Sequence, residues 1–312
     1  MLKCGITTDN RCLGHNTGVG HPERSDRIRS CLVAIEQANL NLVPVESVPI
    51  NEEKLAYVHA KEHIDRVYKH CQTEDPLEYD TPVAKDSYQV ALLSVAAAIS
   101  LSESVIDKTI DNGFSLMRPP GHHATAFRAM GFCLFNSVAI ATRHLQKKHG
   151  LDRIAIIDWD VHHGNGTQDI FYSDPSVFYF SIHQSPLYPG TGLVKEKGTG
   201  RGVGTTLNCP ISPYSGDSDY TEKFRKVLQP QLTEFKPEFI FISAGFDAHE
   251  RDPLSQMNMT SEGFADLTKI VQEIADQVCR GHIISVLEGG YDLQGLSTSV
   301  VSHLRQLSNQ AE

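Results

Sequence analysis

The chain has 312 residues, of which 40% are hydrophobic and 21% are charged, and its formal net charge is −10 at pH 7. This length and composition suit a globular protein with a substantial core. The negative net charge argues against a dominant phosphate-binding surface, so we expect no direct binding to nucleic acid.

The cysteines and the N-terminal segment bear on the compartment. The seven cysteines are scattered and form no CxxC pair, which indicates a reduced interior rather than a disulfide framework or a thiolate metal site. The segment MLKCGITTDNRCLGHN has no apolar signal-peptide core, and the apolar stretch VALLSVAAAIS (90–100) is too short to span a bilayer. These features predict a cytoplasmic protein that does not associate with membranes.

Short runs of β-branched and aromatic residues predict six strands, and most runs are continuous, as in strands buried on both faces. They lie at residues 2–6, 113–117, 154–157, 177–182, 239–243 and 283–287. Helical patterns cover residues 25–38, 87–107, 134–150, 220–235 and 260–281. Ser25 and Thr260 are candidate N-caps, Gly281 is a candidate stop, and Pro230 should kink or split the fourth helix.

The alternation of strands and helices predicts an α/β fold with three layers (α/β/α) around a mostly parallel sheet. No repeat, low-complexity tract or linker interrupts the chain, so we predict one domain over residues 1–312. The segment 184–219 is rich in Gly, Pro and Ser, which is typical of an ordered surface loop near a functional site.

Polar clusters follow four of the apolar runs directly. The clusters are RPPGHHAT (118–125), WDVHHGNG (159–166), AGFDAHERDP (244–253) and EGGYD (288–292). Ligands of open parallel α/β sheets bind outside the carboxyl ends of the strands. We therefore expect the four clusters to converge on one edge of the sheet and to form a single site.

These clusters contain residue types suited to metal and acid–base chemistry. Asp160 and His162 stand two positions apart just past a strand, so both can face one divalent ion, and Asp247 can complete an open three-ligand site. The adjacent His122 and His123 suit proton transfer. Tyr291 follows two glycines, which let the backbone approach a ligand and leave the phenol free to donate to an oxyanion.

The chain resembles the zinc-dependent histone deacetylase superfamily in the order of its motifs. The motifs are RPPGHHA, GFCLFNSVAIA, DWDVHHGNGTQDIF, SIHQ, YPGTG, SAGFDAHERDPL and LEGGYD. They lie between residues 118 and 292, and the resemblance as a whole covers residues from about 21 to 292. HHGNGTQ and FDAH…DPL are similar to the class II branch and its bacterial relatives, including the acetylpolyamine amidohydrolases, more than to class I. The resemblance implies the arginase/deacetylase-like fold, with the active site at the carboxyl ends of the strands.

The resemblance also implies a role for each matching residue. It assigns one zinc ion per chain to Asp160, His162 and Asp247. The residues implied in catalysis are His122, His123, Tyr291, Asp158 and Asn165. His123 takes the place of the general base and acid, Asp158 that of the partner of His122, and Asn165 that of the partner of His123. Because Asn165 has no charge, it should hold His123 as imidazolium less readily than the Asp of class I-like members.

Further positions match the family's substrate tunnel and its cation sites. The implied substrate-binding residues are Gly131, Phe132, Tyr188, Leu254 and Asp80. Tyr188 stands where many relatives have Phe, and Arg27 matches the arginine beneath the site of acetate release. A structural potassium ion is implied at Asp158, Asp160, His162, Ser181 and Ile182, and a second cation near Phe171, Asp174 and Val177.

A site with two catalytic metals is a weaker interpretation. The ureohydrolases share the general fold and need additional bridging carboxylates. Here Gly164 stands two residues after His162, and Ala248 and His249 follow Asp247, so those carboxylates are missing. One zinc ion is the better interpretation.

The resemblance predicts hydrolysis of the acetamide of N-acetyl-lysine in a protein or peptide. Two alternatives stay open. One is an acetylpolyamine amidohydrolase, whose substrate is a small acetylated amine. The other is a catalytically silent acetyl-lysine-binding protein, which the complete set of matching residues disfavours.

Overall fold

The computed structural model describes residues 2–310, in which eight strands form one central sheet. The strands are β1 (Cys4–Thr7), β2 (Val43–Pro44), β3 (Asn112–Ser115), β4 (Ile154–Asp158), β5 (Val177–Gln184), β6 (Thr206–Ile211), β7 (Phe239–Ala244) and β8 (Ile283–Leu287). Their order is β2-β1-β3-β8-β7-β4-β5-β6, and every pairing is parallel. The predicted α/β fold is confirmed.

Nine α-helices cover these strands within the same residues. They are α1 (Asp26–Ala38), α2 (Lys61–Thr73), α3 (Ser87–Ile106), α4 (Ser137–His149), α5 (Asn165–Phe171), α6 (Asp217–Lys223), α7 (Gln229–Phe235), α8 (Ser261–Val278) and α9 (Leu293–Leu307). Helices α1, α8 and α9 pack together, and α3 packs on α4 and α2. Helices α1, α8 and α9 contribute to one core cluster and α2 and α4 to a second, while α3 contributes to both.

Strand β7 shows why the central strands are continuous apolar runs. Phe239 and Phe241 join the core cluster of α2 and α4, whereas Ile240 and Ile242 join that of α1, α8 and α9. All four side chains are fully buried. Successive side chains of a strand point to opposite faces, so a strand covered on both sides is apolar at nearly every position.

The six predicted strands are confirmed to within two residues at each end, and two further strands, β2 and β6, were not predicted. Both lie at the edges of the sheet and both contain a proline, Pro44 and Pro210. An edge strand tolerates proline because one of its sides needs no donor. The prediction of a loop over 184–219 is therefore wrong for residues 206–211.

The helix predictions hold with corrections at the ends. Thr260 caps α8 by accepting a hydrogen bond from the Gly263 amide at 3.1 Å, whereas the Ser25 hydroxyl caps nothing and accepts from Arg29 at 2.7 Å. A π-type turn at Phe224–Leu228 separates α6 from α7 just before Pro230. Proline cannot donate to the preceding turn, so the predicted split is confirmed. Helices α2, α5 and α9 were not predicted.

The apolar stretch at residues 90–100 lies within helix α3, which is longer than the stretch itself. It has 20 residues and is, by length and composition, the one helix in the described part of the chain that could cross a bilayer. Most of it is buried inside the protein, against β3, β1, β8 and α4. Its apolar composition is that of a central core helix.

Candidate active site

The four polar clusters follow β3, β8, β7 and β4, which are consecutive strands in the sheet. Their parallel carboxyl ends bring the clusters to one edge, as predicted. Backbone N–H groups and carboxylates link neighbouring loops there. The amide of Gly289 donates to Asp160 at 2.8 Å, and the amide of Val161 donates to Asp247 at 2.9 Å.

Asp160, His162 and Asp247 form a candidate metal centre. Nδ1 of His162 lies 3.1 Å from Oδ1 of Asp160 and 3.1 Å from Oδ2 of Asp247. The donor atoms of all three residues lie within 4.8 Å of one another, and both carboxylates are buried. The other oxygen of each carboxylate accepts from a backbone amide of another loop, which orients the carboxylate towards His162. Oδ1 of Asp160 also accepts from the backbone amide of His162 at 2.9 Å.

The charges of this centre favour a bound cation. Burial raises the pKa of Asp247, and the charge of Asp160 raises it further. Burial lowers the pKa of His162, but its hydrogen bonds to both carboxylates outweigh burial and raise that pKa to about 10. Two buried carboxylates thus require positive charge between them. A divalent ion with neutral His162 as ligand supplies that charge, so the donor set fits a metal.

Glu103, His144 and His149 form another group of possible donors, near the C-terminal end of α4. Two ammonium groups already occupy it: Lys148 Nζ lies 2.6 Å from Oε2 of Glu103, and Lys54 Nζ lies 2.9 Å from Nδ1 of His144. A metal ion would have to displace them. This group is therefore a salt-bridge network between α3 and α4.

The tandem histidines have partners of different charge. Nδ1 of His122 lies 3.1 Å from the carboxylate of Asp158, which also accepts from the Tyr179 hydroxyl at 3.0 Å. Nδ1 of His123 lies 2.7 Å from the side-chain oxygen of Asn165. The two rings are 4.0 Å apart between centroids. The predicted pairs His122–Asp158 and His123–Asn165 are thus both present.

The environment drives the two imidazoles apart in pKa. Burial lowers the pKa of His122, but the charges of Asp160 and Asp158 raise it well above its ordinary value. Burial lowers the pKa of His123 well below its ordinary value, and the charge of His122 adds to the effect. His123 is therefore the neutral imidazole of the pair, as a general base must be.

Tyr291 is held from several sides. Its ring lies 5.0 Å from the Arg27 guanidinium and 5.7 Å, edge-on, from the Phe132 ring. Burial raises the pKa of Tyr291 well above its ordinary value, so the phenol stays protonated and can donate.

Gly289, two residues before Tyr291, must lack a side chain, because a Cβ there would come within 2.1 Å of Oδ2 of Asp247.

The predicted tunnel residues surround His123. The Tyr188 ring lies edge-on at 5.1 Å from that imidazole. A Cβ on Gly131 would come within 2.4 Å of His123 and 3.1 Å of Tyr188, so only glycine allows this close approach. Phe132 packs edge-on against His21 at 4.8 Å. Phe132 thus lies against Tyr291 and Tyr188 against His123, and their role as tunnel walls stays a prediction.

The other predicted substrate-binding side chains, those of Asp80 and Leu254, are half-buried. The carboxylate of Asp80 accepts from the Thr81 hydroxyl at 2.8 Å and interacts with Tyr188, whose pKa is raised by burial and by the charge of Asp80. Tyr188 is 40% exposed, so this pair lies at the protein surface. Leu254 is half-buried in the loop after β7. The substrate roles of these residues stay predictions.

Arg27 lies behind Tyr291 and is fully buried. It donates to the carbonyl oxygens of Gly290 at 2.6 Å and Glu288 at 2.5 Å, and it pairs with Glu23 at 3.1 Å. Arg118 pairs with the same carboxylate. The predicted role of Arg27 in acetate release stays a prediction.

The predicted potassium site and the predicted second cation site involve residues of β4 and β5 and of the segments next to these strands. Asp158 is the sheet neighbour of Ser181, and Ser181 and Ile182 are buried beside the loop of the metal centre. At the second site, near Phe171 and Val177, the Asp174 carboxylate pairs with Arg143 at 2.6 Å. Both cation sites stay predictions.

Two buried acids of the site, Glu288 and Asp252, lie within the sequence motifs, but no role was predicted for them. Oε2 of Glu288 accepts from the amides of Gly121 at 2.6 Å and His122 at 3.1 Å, so it fixes the loop of the tandem histidines. Asp252 accepts from the amides of Tyr291 and Leu254. Their only sequence signal is an acid beside a motif glycine or proline, which does not reveal a partner far along the chain.

A buried centre of two carboxylates and one imidazole, next to a histidine pair and a tyrosine, has the groups of a metal-assisted hydrolase. The family model described as histone deacetylase domain matches residues 21–307. A probable deacetylase of Archaeoglobus fulgidus is 38% identical over 93% of this chain and 82% of its own length. The chain therefore belongs to the histone deacetylase family and is a hydrolase of that family.

One further relative and one solved structure support the same family assignment. A histone deacetylase-like amidohydrolase of Pseudomonas aeruginosa is 36% identical over 86% of this chain and 71% of its own length. The crystal structure of the HDA15 HD domain superposes with a TM-score of 0.94 at 36% identity, covering 99% of this chain and 89% of that chain. The shared fold includes the parallel sheet that positions the candidate site.

Proposed function

We propose that this protein is a zinc-dependent deacetylase that hydrolyses the acetamide of N-acetyl-lysine in proteins or peptides to lysine and acetate. The observation that carries the proposal is the buried Asp160–His162–Asp247 centre beside a neutral His123. One nitrogen and two oxygen donors suit zinc, and three protein ligands leave a position for substrate or water. When bound, zinc polarises the acetyl carbonyl and lowers the pKa of water.

The side chains divide the proton transfers between them. An amide oxygen only accepts, so Asn165 holds a proton on Nδ1 of His123 and leaves Nε2 free to take one from the attacking water. His123 then protonates the leaving amine. Tyr291, which stays protonated, donates to the oxyanion. His122, paired with Asp158, holds positive charge beside the reacting groups.

One catalytic metal is sufficient for this proposal. Gly164 and His249 stand where further bridging carboxylates would be needed. The imidazole of His249 is turned to other partners: its Nδ1 accepts from the Arg251 amide at 3.2 Å, and its Nε2 lies 3.5 Å from the Ser261 hydroxyl. We also propose a structural potassium ion at Asp158, Asp160, His162, Ser181 and Ile182.

The walls of the tunnel support an acyl-lysine substrate. Phe132 and Tyr188 offer aromatic faces to a methylene chain, and Leu254 offers no countercharge to a second ammonium group. One observation favours the alternative, an acetylpolyamine amidohydrolase: the Asp80 carboxylate near Tyr188 could pair with such an ammonium. We further propose a cytoplasmic location, which the seven free, buried cysteines support.

Acetate release from an acetyl-lysine peptide and from N-acetylspermidine, measured side by side, tests the proposal. We expect turnover of both, with the higher kcat/KM for the peptide. Turnover of the polyamine alone would support the alternative. Binding of the peptide without acetate release, by zinc-loaded protein, would indicate a silent binding protein.

A further inference from the structure

Asp252 is a buried carboxylate that joins two loops of the site. Its Oδ2 accepts from the backbone amide of Tyr291 at 2.6 Å and from that of Asp292 at 3.3 Å. Its Oδ1 accepts from the backbone amide of Leu254 at 2.9 Å. The side chain is 7% exposed. One carboxylate therefore holds the backbone of Tyr291, the proposed oxyanion donor, and that of Leu254, the proposed substrate-binding residue at the rim of the tunnel.

These bonds are not needed to start the helix that follows. Helix α9 begins at Leu293, and its N-cap is Asp292, whose side chain accepts from the Gly295 amide at 2.7 Å. The same side chain pairs with Arg251 at 3.0 Å. The cap of α9 is thus complete without Asp252, and the shortest bond of Asp252 goes to Tyr291, one residue before that cap.

The two residues before Tyr291 contribute no side-chain packing that could hold the position of the tyrosine. Gly289 and Gly290 have no side chains to pack, and Gly290 has a φ of +118°. Glycine loses more conformational freedom on ordering than any other residue. Other loops hold the backbone of these glycines, through the Gly289 amide on Asp160 and through Arg27 on the Gly290 carbonyl. At Tyr291 itself, the amide bond to Asp252 and the ring contacts to Arg27 and Phe132 set the direction of the side chain.

We propose that Asp252 is a positioning residue, which fixes the phenol of Tyr291 and ties it to the rim at Leu254. The inference rests on the proposed function, because it acts through the hydroxyl of Tyr291. A carboxylate is required since it presents acceptors to two loops at once. The carboxamide of Asn has one acceptor, and its NH2 group would face an N–H donor on the other side.

Asp252→Asn, studied alone and together with Tyr291→Phe, tests this assignment. We expect Asp252→Asn to lower kcat by on the order of 10-fold, because a small displacement of an oxyanion donor is costly. In the Tyr291→Phe background the same substitution should lower kcat less than 2-fold, since the hydroxyl through which it acts is gone. Hydrogen exchange at the Tyr291 and Leu254 amides should become faster, independently of turnover.

Asp217→Asn is the matched control. The Asp217 carboxylate also bridges to another loop, accepting from the amide of Thr260 at 2.9 Å and from its hydroxyl at 2.7 Å, and it is no part of the active site. We expect this variant to lower the melting temperature while kcat stays within 2-fold of wild type. If Asp252→Asn does not fold, the same cycle is run with Asp252→Glu, which keeps the charge but moves both acceptors.

Two results would overturn the assignment. One is an unchanged kcat in Asp252→Asn. The other is an equal loss of kcat in both backgrounds, which would mean a general structural role. Wild-type activity in Tyr291→Phe would instead contradict the proposed function. So would the absence of turnover of any acetylated amine by the zinc-loaded wild-type protein.

Discussion

Nδ1 of His123 lies 2.7 Å from the side-chain oxygen of Asn165, a neutral acceptor, whereas the neighbouring histidine faces a carboxylate. Because burial holds the pKa of His123 well below 6.5, the imidazole is the free base at neutral pH. In Asn165→Asp a carboxylate would stabilise the imidazolium and raise that pKa. We expect kcat/KM at pH 6, relative to pH 8, to fall by about tenfold against wild type. Superimposable pH profiles would contradict the assignment of His123 as base.

Tyr291→Phe removes a hydroxyl and almost no volume. We expect kcat to fall by on the order of 10²-fold, as it does when an oxyanion donor is lost, while zinc content and melting temperature barely change. Tyr214→Phe, at an exposed tyrosine, is the control and should keep full activity. Wild-type turnover by Tyr291→Phe would exclude the phenol as the donor.

Leu254→Glu should shift substrate choice towards polyamines. A carboxylate at the rim would pair with the second ammonium of an acetylpolyamine, and the ratio of the two kcat/KM values should move by roughly 10-fold, or about 1.4 kcal/mol. Leu254→Gln has nearly the same shape without the charge and should leave the ratio close to wild type. An equal shift in both variants would show that shape, not charge, controls the choice.

Glu23 should make stability depend on acid pH. Burial raises the pKa of Glu23, but the charges of Arg118, His15 and Arg27 outweigh it and lower that pKa to about 2. A lowered folded-state pKa stabilises the protein above about pH 4.5, and this stabilisation, on the order of 3 kcal/mol, is lost as the pH falls towards 2.

Glu23→Gln removes the countercharge of two fully buried guanidinium groups. We expect a loss of roughly 3–5 kcal/mol, seen as a melting temperature lower by on the order of 5 °C at pH 7. Glu222→Gln breaks an exposed pair with Lys226 and should cost less than about 1 kcal/mol. Equal melting temperatures for the two variants would contradict the importance of the buried network.

The central strands were predictable because burial on both faces restricts their composition. A strand such as β7, covered on both faces, is apolar at every position except Ser243. The edge strands β2 and β6 carry Pro44 and Pro210, which the same patterns treat as breaks. Helix α9 was missed because its glycine, serines and threonine are weak helix formers, and its packing on α1 and α8 decides its structure.

The residues of the candidate site also fall into two groups, those that sequence patterns predicted and those that they did not. Asp160, His162 and Asp247 were found because metal-donor side chains placed directly after buried strands are typical of a metal centre. Asp252 and Glu288 act by accepting backbone amides from loops far along the chain, 39 residues away for Asp252 and Tyr291. Such pairing depends on which strands lie side by side, and residue patterns alone do not contain that information.

Titration of metal-free protein with zinc tests the central claim most directly. Activity on an acetyl-lysine peptide should rise with added zinc and level off at one equivalent per chain, as expected for a single open site with three protein ligands. Asp247→Ala should retain little zinc and regain little activity. Full activity in the thoroughly chelated protein, or a plateau only at two equivalents of zinc, would contradict the account.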